Sequence, residues 1–288
     1  MTHKSVVINF NITVILKEIL TSEIEYSYVI TLGMSELPKY IQDAPGNESF
    51  LFQRNSWRSN LGLDIDLRSK AISLIVDANK YQYGYQWEWC GVPIIRHPDD
   101  IVLQQEIVWN LKPSHIIETG IARGGSLVLS ASLMEISGMR ANVLGLDVQI
   151  FPHTHDALQN WVESKKIQIR EVSSASAEAV EIVTEFLKNS SDPALLVLDS
   201  DHSHVHVLNE LNTLGALLPK GSIVMVADTI ISEMPDEAYA DRPWTKNRNP
   251  LSAINEFLEN NSNFKLDKEW SRRSLLGECR DGILRKIS

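Results

Sequence analysis

Between about residue 99 and residue 228 the chain alternates short apolar runs with longer segments of helical periodicity. The apolar runs read as five strands: HIIET (115–119), NVLGLD (142–147), IQIRE (167–171), ALLVLD (194–199) and SIVMVAD (222–228). Strands that alternate with helices of about 10–15 residues favour a doubly wound parallel α/β sheet. Because the crossovers are right-handed, all strands end along one edge of the sheet, where such folds bind ligands.

The pattern changes at both ends of the chain. Residues 1–85 lack the alternation, and we expect an N-terminal helical extension that acts as a lid or an oligomerisation arm. After the fifth strand, a long polar connection (229–250) leads into a helix that begins at Asn249 and Pro250, followed by two closing strands. We therefore predict a mostly parallel, seven-stranded Rossmann-like sheet within a domain of residues 86–288. A connection this long indicates a functional segment, which we interpret as a substrate lid.

Acidic residues stand at the ends of four of the five strands. They are Glu118, Asp147, Asp199 and Asp228. Aspartate is common in turns and helix caps, which would explain one or two of the four. All four together indicate a ligand site at the carboxyl edge of the sheet.

The turn after the first strand, IIETGIARGGSLV (116–128), joins a strand to a helix through three glycines, a typical cradle for a nucleotide. Its G-x-x-x-G-G spacing is not the dinucleotide pattern, and Glu118 would repel a pyrophosphate. A carboxylate there suits the amino group and sulfonium of S-adenosylmethionine, and Asp147 can accept both ribose hydroxyls. We predict this cofactor, bound by residues of the turn and of the next two strand ends: Glu118, Gly120, Arg123, Gly124, Gly125, Ser126, Asp147 and Ser174.

The fourth and fifth strands suggest a metal site. Their terminal residues Asp199 and Asp228 can converge on one hard cation, and Thr229 can add an oxygen. Mg²⁺ prefers such oxygen ligands, and beside a methyl donor it would lower the pKa of an acceptor hydroxyl. His202, three residues after Asp199, is the candidate general base. Asp201 is a further catalytic candidate, which could supply another oxygen to the cation directly or through water.

Other interpretations of these residues stay open. His202 could instead be a polar residue near a helix cap or a buried, hydrogen-bonded histidine. His202, His204 and His206 could bind zinc or iron if they shared one face of a strand. At a helix start, however, His204 and His206 diverge by about 200°. In the lid, Trp244, Lys246 and Arg248 are candidate contacts to the acceptor, and a solvated loop is the alternative.

Composition narrows the classes of protein. The chain has 288 residues and a formal net charge of −10, so it offers no basic footprint for nucleic acid. Two distant cysteines, Cys90 and Cys279, exclude a disulfide framework and a thiolate zinc site. No apolar run reaches about 18 residues, so we expect no membrane span, and we expect a cytoplasmic protein.

Three segments, WEWCGVPIIRHPDDIVLQQEIVWNLKPSHIIETGIARGGS, LVLDSDHSHVHVLNELNTLGALLPKGSIVMVADT and RPWTKNRNPLSAINEFL, resemble the cephalosporin hydroxylase family. The resemblance covers about residues 85–288 and implies a methyltransferase fold, S-adenosylmethionine, Mg²⁺ and a small-molecule hydroxyl acceptor, as in its sugar and rhamnosyl O-methyltransferases. It also implies a homo-oligomer. Asp199 and His202 fit the D-x-x-H motif of the similar macrolide-sugar methyltransferases, in which the aspartate binds metal and the histidine is the base.

The chain departs from the family pattern at three places. Ala227 stands where the fifth strand of the family carries glutamate, and Arg96 stands where glutamine is usual. Ser173 and Ser174 replace an acid expected near the adenine. Two other functions therefore stay open: hydroxylation of a small metabolite, as the family name suggests, and a non-catalytic subunit that binds the cofactor.

Overall fold

The computed structural model describes residues 46–188, 190–239 and 241–288. The predicted extension, residues 1–85, lies partly outside these ranges, and its boundary stays a prediction. Its described part contains two helices, and a small antiparallel hairpin follows it. These elements are α1 (Gly46–Leu63), α2 (Ile65–Asn79), β1 (Trp87–Trp89) and β2 (Val92–Ile94). Residues 61–288 form one compact unit.

The core of this unit is a seven-stranded sheet. Its strands are β3 (Ile116–Thr119), β4 (Val143–Asp147), β5 (Ile167–Glu171), β6 (Leu195–Leu198), β7 (Ile223–Val226), β8 (Phe264–Leu266) and β9 (Ile283–Lys286). The order across the sheet is β5-β4-β3-β6-β7-β9-β8, and β9 runs in the direction opposite to the other six described strands. The prediction of a mostly parallel, seven-stranded, doubly wound sheet is confirmed. The order reverses between β3 and β6, and an open α/β sheet binds ligands at such a point.

Helices cover both faces of the sheet because alternate strand residues point to opposite sides. Ile116 belongs to the apolar core on one face, and Ile117 belongs to the core on the other. The first face is covered by α3 (Pro98–Leu111), α4 (Gly125–Ile136) and α5 (Pro152–Glu163). The second is covered by α6 (Ala177–Phe186), α7 (His204–Leu217) and α8 (Pro250–Asn260).

The structure differs from the sequence-based expectations at three elements. The helical periodicity of HDALQNWVE predicts a helix over 155–163, but α5 begins at Pro152, because proline is well suited to the first position of a helix. The segment FKLDKEW, which reads as the first of the two closing strands, is a strand only over Phe264–Leu266, and the chain then forms the short helix α9 (Lys268–Ser271). The lid segment (229–250) contains two 3₁₀ turns, Thr229–Ser232 and Asp236–Tyr239, rather than irregular chain throughout.

Among the described residues, no helix combines the length and the apolar character that a membrane crossing requires.

Candidate functional site

Steric contacts of two glycines shape the turn that follows β3. Gly120 has φ +85°, and a Cβ added there would lie 2.0 Å from the backbone oxygen of Asp199. The turn therefore packs directly on the end of β6. Gly125 begins α4, and its added Cβ would lie 2.3 Å from the backbone oxygen of Pro93. The β1–β2 hairpin closes over α4 at this point, and only glycine allows both approaches.

Two cavities open at the carboxyl edge of the sheet. The first has a volume of about 200 Å³ and is lined mainly by the glycine turn, residues 120–126. The second, of about 420 Å³, lies between α2, the lid segment and the ends of β6 and β7. Ile95, Asp199 and His202 line both cavities. The edge therefore offers two adjacent binding volumes that meet at a carboxylate and an imidazole.

Most of the predicted cofactor residues surround the first cavity. Its lining includes five of them: Gly120, Arg123, Gly124, Gly125 and Ser126. Glu118 is fully buried just before the turn, and its carboxylate accepts a hydrogen bond from the Ser126 hydroxyl. Burial raises the pKa of Glu118 to about 7, although Arg96 and Ser126 act in the opposite direction. The carboxyl group is thus easily ionised by a nearby cationic ligand.

Asp147 and Ser174 do not line the first cavity, and the side chains of both form hydrogen bonds with other residues of the protein. One oxygen of the Asp147 carboxylate accepts hydrogen bonds from the backbone N–H groups of Ile121 (2.7 Å) and Ala122 (3.3 Å). Asp147 therefore fixes the turn after β3 from the end of β4. The Ser174 hydroxyl lies 3.0 Å from Nε2 of His206, and neither residue is part of the lining.

Asp199 forms an ion pair that the sequence analysis did not predict. The Arg96 side chain is fully buried, and its Nη2 lies 2.9 Å from Oδ2 of Asp199 and 3.8 Å from Oε1 of Glu118. Nη1 of Arg96 donates to the Gln104 side chain. Burial raises the pKa of Asp199 even though Arg96 favours its ionised form. One guanidinium thus lies between the acid of the glycine turn and the acid at the end of β6.

His202 pairs with Asp228 on the side of the second cavity. Nε2 of His202 lies 3.0 Å from Oδ2 of Asp228, and no hydrogen bond joins its Nδ1 to another described residue. Burial lowers the pKa of His202, but the Asp228 carboxylate outweighs it and raises the pKa to about 9. The Trp244 ring meets the His202 ring edge to face, with 5.1 Å between centroids. The predicted pair of strand-end acids, the histidine and one lid residue therefore lie together.

Four other predicted site residues are not brought into this arrangement. Asp201 is exposed, and its carboxylate accepts a hydrogen bond from the Ser203 backbone at 2.7 Å, which supports the start of α7. The Thr229 hydroxyl is buried and donates to the backbone oxygens of Glu278 and Arg280. Lys246 and Arg248 are exposed and line neither cavity. None of these four side chains is among the residues that line the two cavities, and their predicted roles stay predictions.

The second cavity contains charged residues that the sequence analysis did not assign to the site: Glu278, Arg242 and His97. Burial, together with the carboxylates of Asp228, Asp100 and Asp199, raises the pKa of Glu278 well above its ordinary value. Glu278 comes from the loop before β9, about 50 residues after Asp228, so no local motif indicates it. Carboxyl atoms of Asp100 and Glu278 and a ring nitrogen of His97 lie within 4.8 Å of one another. Asp100, however, already accepts the backbone N–H of Glu278 at 2.7 Å.

Comparisons with known proteins agree with this architecture. The family model for rhamnosyl O-methyltransferase/CmcI matches residues 81–287. A rhamnosyl O-methyltransferase of Mycobacterium leprae (strain TN) is 29% identical over 167 residues, which cover 57% of this chain and 71% of that protein. The protein of the same name from Mycobacterium bovis (strain BCG / Pasteur 1173P2) is 32% identical over 162 residues, 54% of this chain and 64% of its own length.

Solved structures of CmcI share the fold. The apo structure of CmcI-N160 has a TM-score of 0.50 and 19% identity, and the alignment covers 71% of this chain and 77% of that one. The D160 form with Mg and SAM gives a TM-score of 0.50 and 20% identity over 71% and 78% of the two chains. The resemblance to the cephalosporin hydroxylase family is confirmed by the family model, which matches most of this chain. The chain therefore belongs to the rhamnosyl O-methyltransferase/CmcI family.

Proposed function

We propose that this chain is an S-adenosylmethionine-dependent O-methyltransferase that methylates a hydroxyl of a sugar or of a glycosylated metabolite. The observation that carries the proposal is the meeting of the two cavities at Asp199 and His202. Methyl transfer needs a donor and an acceptor aligned across one shared point, and adjacent cavities provide that alignment. The names of the mycobacterial relatives and the CmcI structure with Mg and SAM support this function.

The first cavity is the proposed cofactor site. Gly120 and Gly124, both at positive φ, allow the turn to pack closely on Asp199 and Leu158, and Arg123 and Ser126 contribute polar groups to the cavity lining. Glu118 lies beneath the turn, where its ionised carboxylate would favour the cationic amino and sulfonium groups of the cofactor. Asp147 stabilises the turn and is proposed to face the ribose.

Asp199 and Asp228 are the residues that would hold Mg²⁺. They follow the neighbouring strands β6 and β7, and both line the second cavity. One oxygen of each carboxylate is engaged, by Arg96 and by His202, while the other carries no hydrogen bond from a described residue. This oxygen-only donor set fits a hard divalent cation. When bound, Mg²⁺ would lower the pKa of the acceptor hydroxyl.

His202 is the proposed general base. The Asp228 carboxylate accepts the Nε2–H of the imidazole, so Nδ1 is the nitrogen that takes the acceptor proton when the ring is neutral. Because the pKa of His202 is raised to about 9, the ring is mostly protonated at neutral pH, and the fraction that can act as a base grows as the pH rises toward 9. The edge-to-face contact with Trp244 restricts the orientation of the ring. Proton transfer to Nδ1 would leave the acceptor oxygen as a nucleophile, and S-adenosylmethionine, when bound in the first cavity, would supply the methyl group.

The second cavity suits an acceptor with both polar and apolar surfaces. Ile75 of α2 and Ile230 and Met234 of the lid segment form an apolar wall. Glu278 lies on the acidic side and can accept hydrogen bonds from sugar hydroxyls. A sugar ring presents both kinds of surface, which supports a carbohydrate acceptor over a purely aromatic or purely charged one.

The test is methyl transfer from radiolabelled S-adenosylmethionine to a panel of rhamnosides and other deoxysugar glycosides. We expect product with the wild-type chain, and turnover lower by about 10²–10⁴ for His202→Ala, with cofactor affinity retained. The exposed residue His155, on α5, serves as the control: His155→Ala should keep full turnover. Unchanged turnover in His202→Ala would exclude this base. Cofactor binding without transfer to any glycoside would favour the non-catalytic alternative.

A further inference from the structure

The Arg96 guanidinium is the most unusual feature of the site. It has no solvent exposure and is linked to three different elements, through Asp199 after β6, Glu118 in β3 and Gln104 in α3. Among the described residues its Nε has no hydrogen-bond partner, so this buried N–H donor is left unpaired there. Burying a cation with incomplete pairing lowers the free energy of unfolding, so stabilisation of the fold alone does not explain this arginine.

Arg96 contacts the same carboxylate that is proposed to hold Mg²⁺. Its Nη2 is 2.9 Å from Oδ2 of Asp199, so a permanent positive charge already neutralises part of that group. A divalent cation bound through the other oxygen would lie within a few ångströms of the guanidinium. Like charges at that separation repel strongly, because the buried site screens them less than water does.

We infer that Arg96 is a positioning residue: a fixed internal cation that shares Asp199 with the divalent cation and thereby sets how weakly that cation binds. The inference rests on the proposed function, since it takes Asp199 as a cation ligand. The position of Ala227 agrees with it. Ala227 has no side-chain oxygen to offer beside Asp228, so the site holds fewer carboxylates for Mg²⁺ than a chain with glutamate at this position, while Arg96 supplies positive charge of its own.

A purely structural ion pair leads to a different expectation. If Arg96 only stabilised the fold, its replacement would lower stability and leave the affinity for cations unchanged or lower. If Arg96 shares Asp199 with the cation, a neutral residue at position 96 frees a carboxylate oxygen and removes a repulsive charge. Cation affinity then rises even though the protein without metal becomes less stable.

The experiment is a titration of the full chain with Mn²⁺, followed by the loss of the free-ion electron paramagnetic resonance signal. The variants are Arg96→Gln and Arg96→Met, which are neutral and differ in polarity, and Arg96→Lys, which keeps the charge. Arg285→Gln is the control. Nε of Arg285 lies 2.9 Å from Oδ2 of Asp267, and neither residue lines either cavity. Thermal unfolding with EDTA and with Mg²⁺ provides a second readout.

We expect Mn²⁺ affinity to rise at least about tenfold in the folded neutral variants and to stay near the wild-type value in Arg96→Lys and Arg285→Gln. Mg²⁺ should raise the melting temperature of a neutral variant more than that of the wild type. Equal or weaker Mn²⁺ binding in both neutral variants, or no binding in any protein, would overturn the inference. Calorimetric titration with S-adenosylmethionine keeps the two proposals separable, because loss of cofactor binding in the wild type would contradict the proposed function alone.

Discussion

At the scale of single residues, the site depends on how buried charges are paired. Glu118 and Arg96 have no solvent exposure, and the acids around them have altered pKa values because burial penalises ionisation. Sequence reasoning singled out Glu118, Asp199, His202 and Asp228 because each lies at or just after the end of a strand in a regular pattern. It also singled out Asp201 as an oxygen donor close to His202, and in the structure the Asp201 carboxylate accepts a hydrogen bond from the backbone at the start of α7.

The pKa of Glu118 predicts a proton-linked step in cofactor binding. Burial raises this pKa to about 7, so the carboxyl is partly protonated at neutral pH before the ligand binds. A cationic ligand favours the ionised form, so binding should release up to about one proton per site near and below pH 7, and none near pH 9. Calorimetry of S-adenosylmethionine binding in buffers with different ionisation enthalpies measures this number.

The matched variant for this measurement is Glu118→Gln. It cannot ionise, so its binding enthalpy should be independent of the buffer, while affinity falls. Buffer-independent enthalpies in the wild type at pH 6.5 would contradict the assignment of Glu118 to the cofactor side of the site.

Glu278 gives a second prediction at this scale. It lines the cavity proposed for the acceptor, so Glu278→Ala should raise the acceptor KM by about two- to tenfold, the loss of one hydrogen bond, and leave the dissociation constant of S-adenosylmethionine unchanged. Steady-state kinetics with varied rhamnoside concentration at saturating S-adenosylmethionine measures the acceptor KM. Calorimetry measures the dissociation constant of the cofactor. An unchanged acceptor KM together with weaker cofactor binding would contradict the assignment of Glu278 to the acceptor cavity.

At the scale of elements, the turn between β3 and α4 determines where the cofactor cavity lies. Gly120 has φ +85° and contacts the backbone at the end of β6, so the turn and Asp199 are held together by close packing. The glycine spacing was visible in the sequence, but the contact that requires glycine was not, because it joins segments about 80 residues apart. The hairpin β1–β2 was missed because three-residue strands carry too little periodicity to recognise.

Gly120→Ala is therefore expected to lower stability and cofactor binding more than a glycine-to-alanine substitution at another position with positive φ. Its Cβ would clash with the Asp199 backbone at 2.0 Å, in addition to a left-handed strain of about 1–2 kcal/mol. Gly138 is the control, since it also has a positive φ, +76°, but its added Cβ meets no atom of the residues that the structure describes within 4 Å. Urea unfolding should show a larger loss for Gly120→Ala, and cofactor binding should be lost in that variant alone. Equal losses in the two variants would contradict the packing argument.

At the scale of the whole molecule, the acceptor cavity is built from segments far apart in the chain. α2, which lies in the predicted extension, supplies Ile75, and the loop before β9 supplies Glu278. Arg68 of α2 forms two hydrogen bonds of 2.6 Å to Glu233 of the lid segment and contacts Asp281 at 2.9 Å. The sequence predicted a lid and an extension near the site. It could not predict their contact, which arises only from tertiary packing.

Arg68→Ala should loosen the wall of the acceptor cavity. We expect the acceptor KM to rise by about three- to tenfold, with no change in cofactor affinity, because the lost ion pair lies outside the first cavity. Lys70→Ala, an exposed position on the same helix, is the control and should behave as the wild type. A rise in the acceptor KM of the same size in both variants would mean that any substitution on α2 has this effect, and that the ion pair between Arg68 and Glu233 is not its cause.

The central claim is that the glycine-turn cavity binds S-adenosylmethionine. The most direct measurement is calorimetric titration of S-adenosylmethionine into the full chain, first with EDTA and then with Mg²⁺. We predict saturable binding of one cofactor per chain in both conditions, and much weaker binding when Asp147, which fixes the turn, is replaced by alanine. No saturable binding in either condition would contradict the methyltransferase assignment.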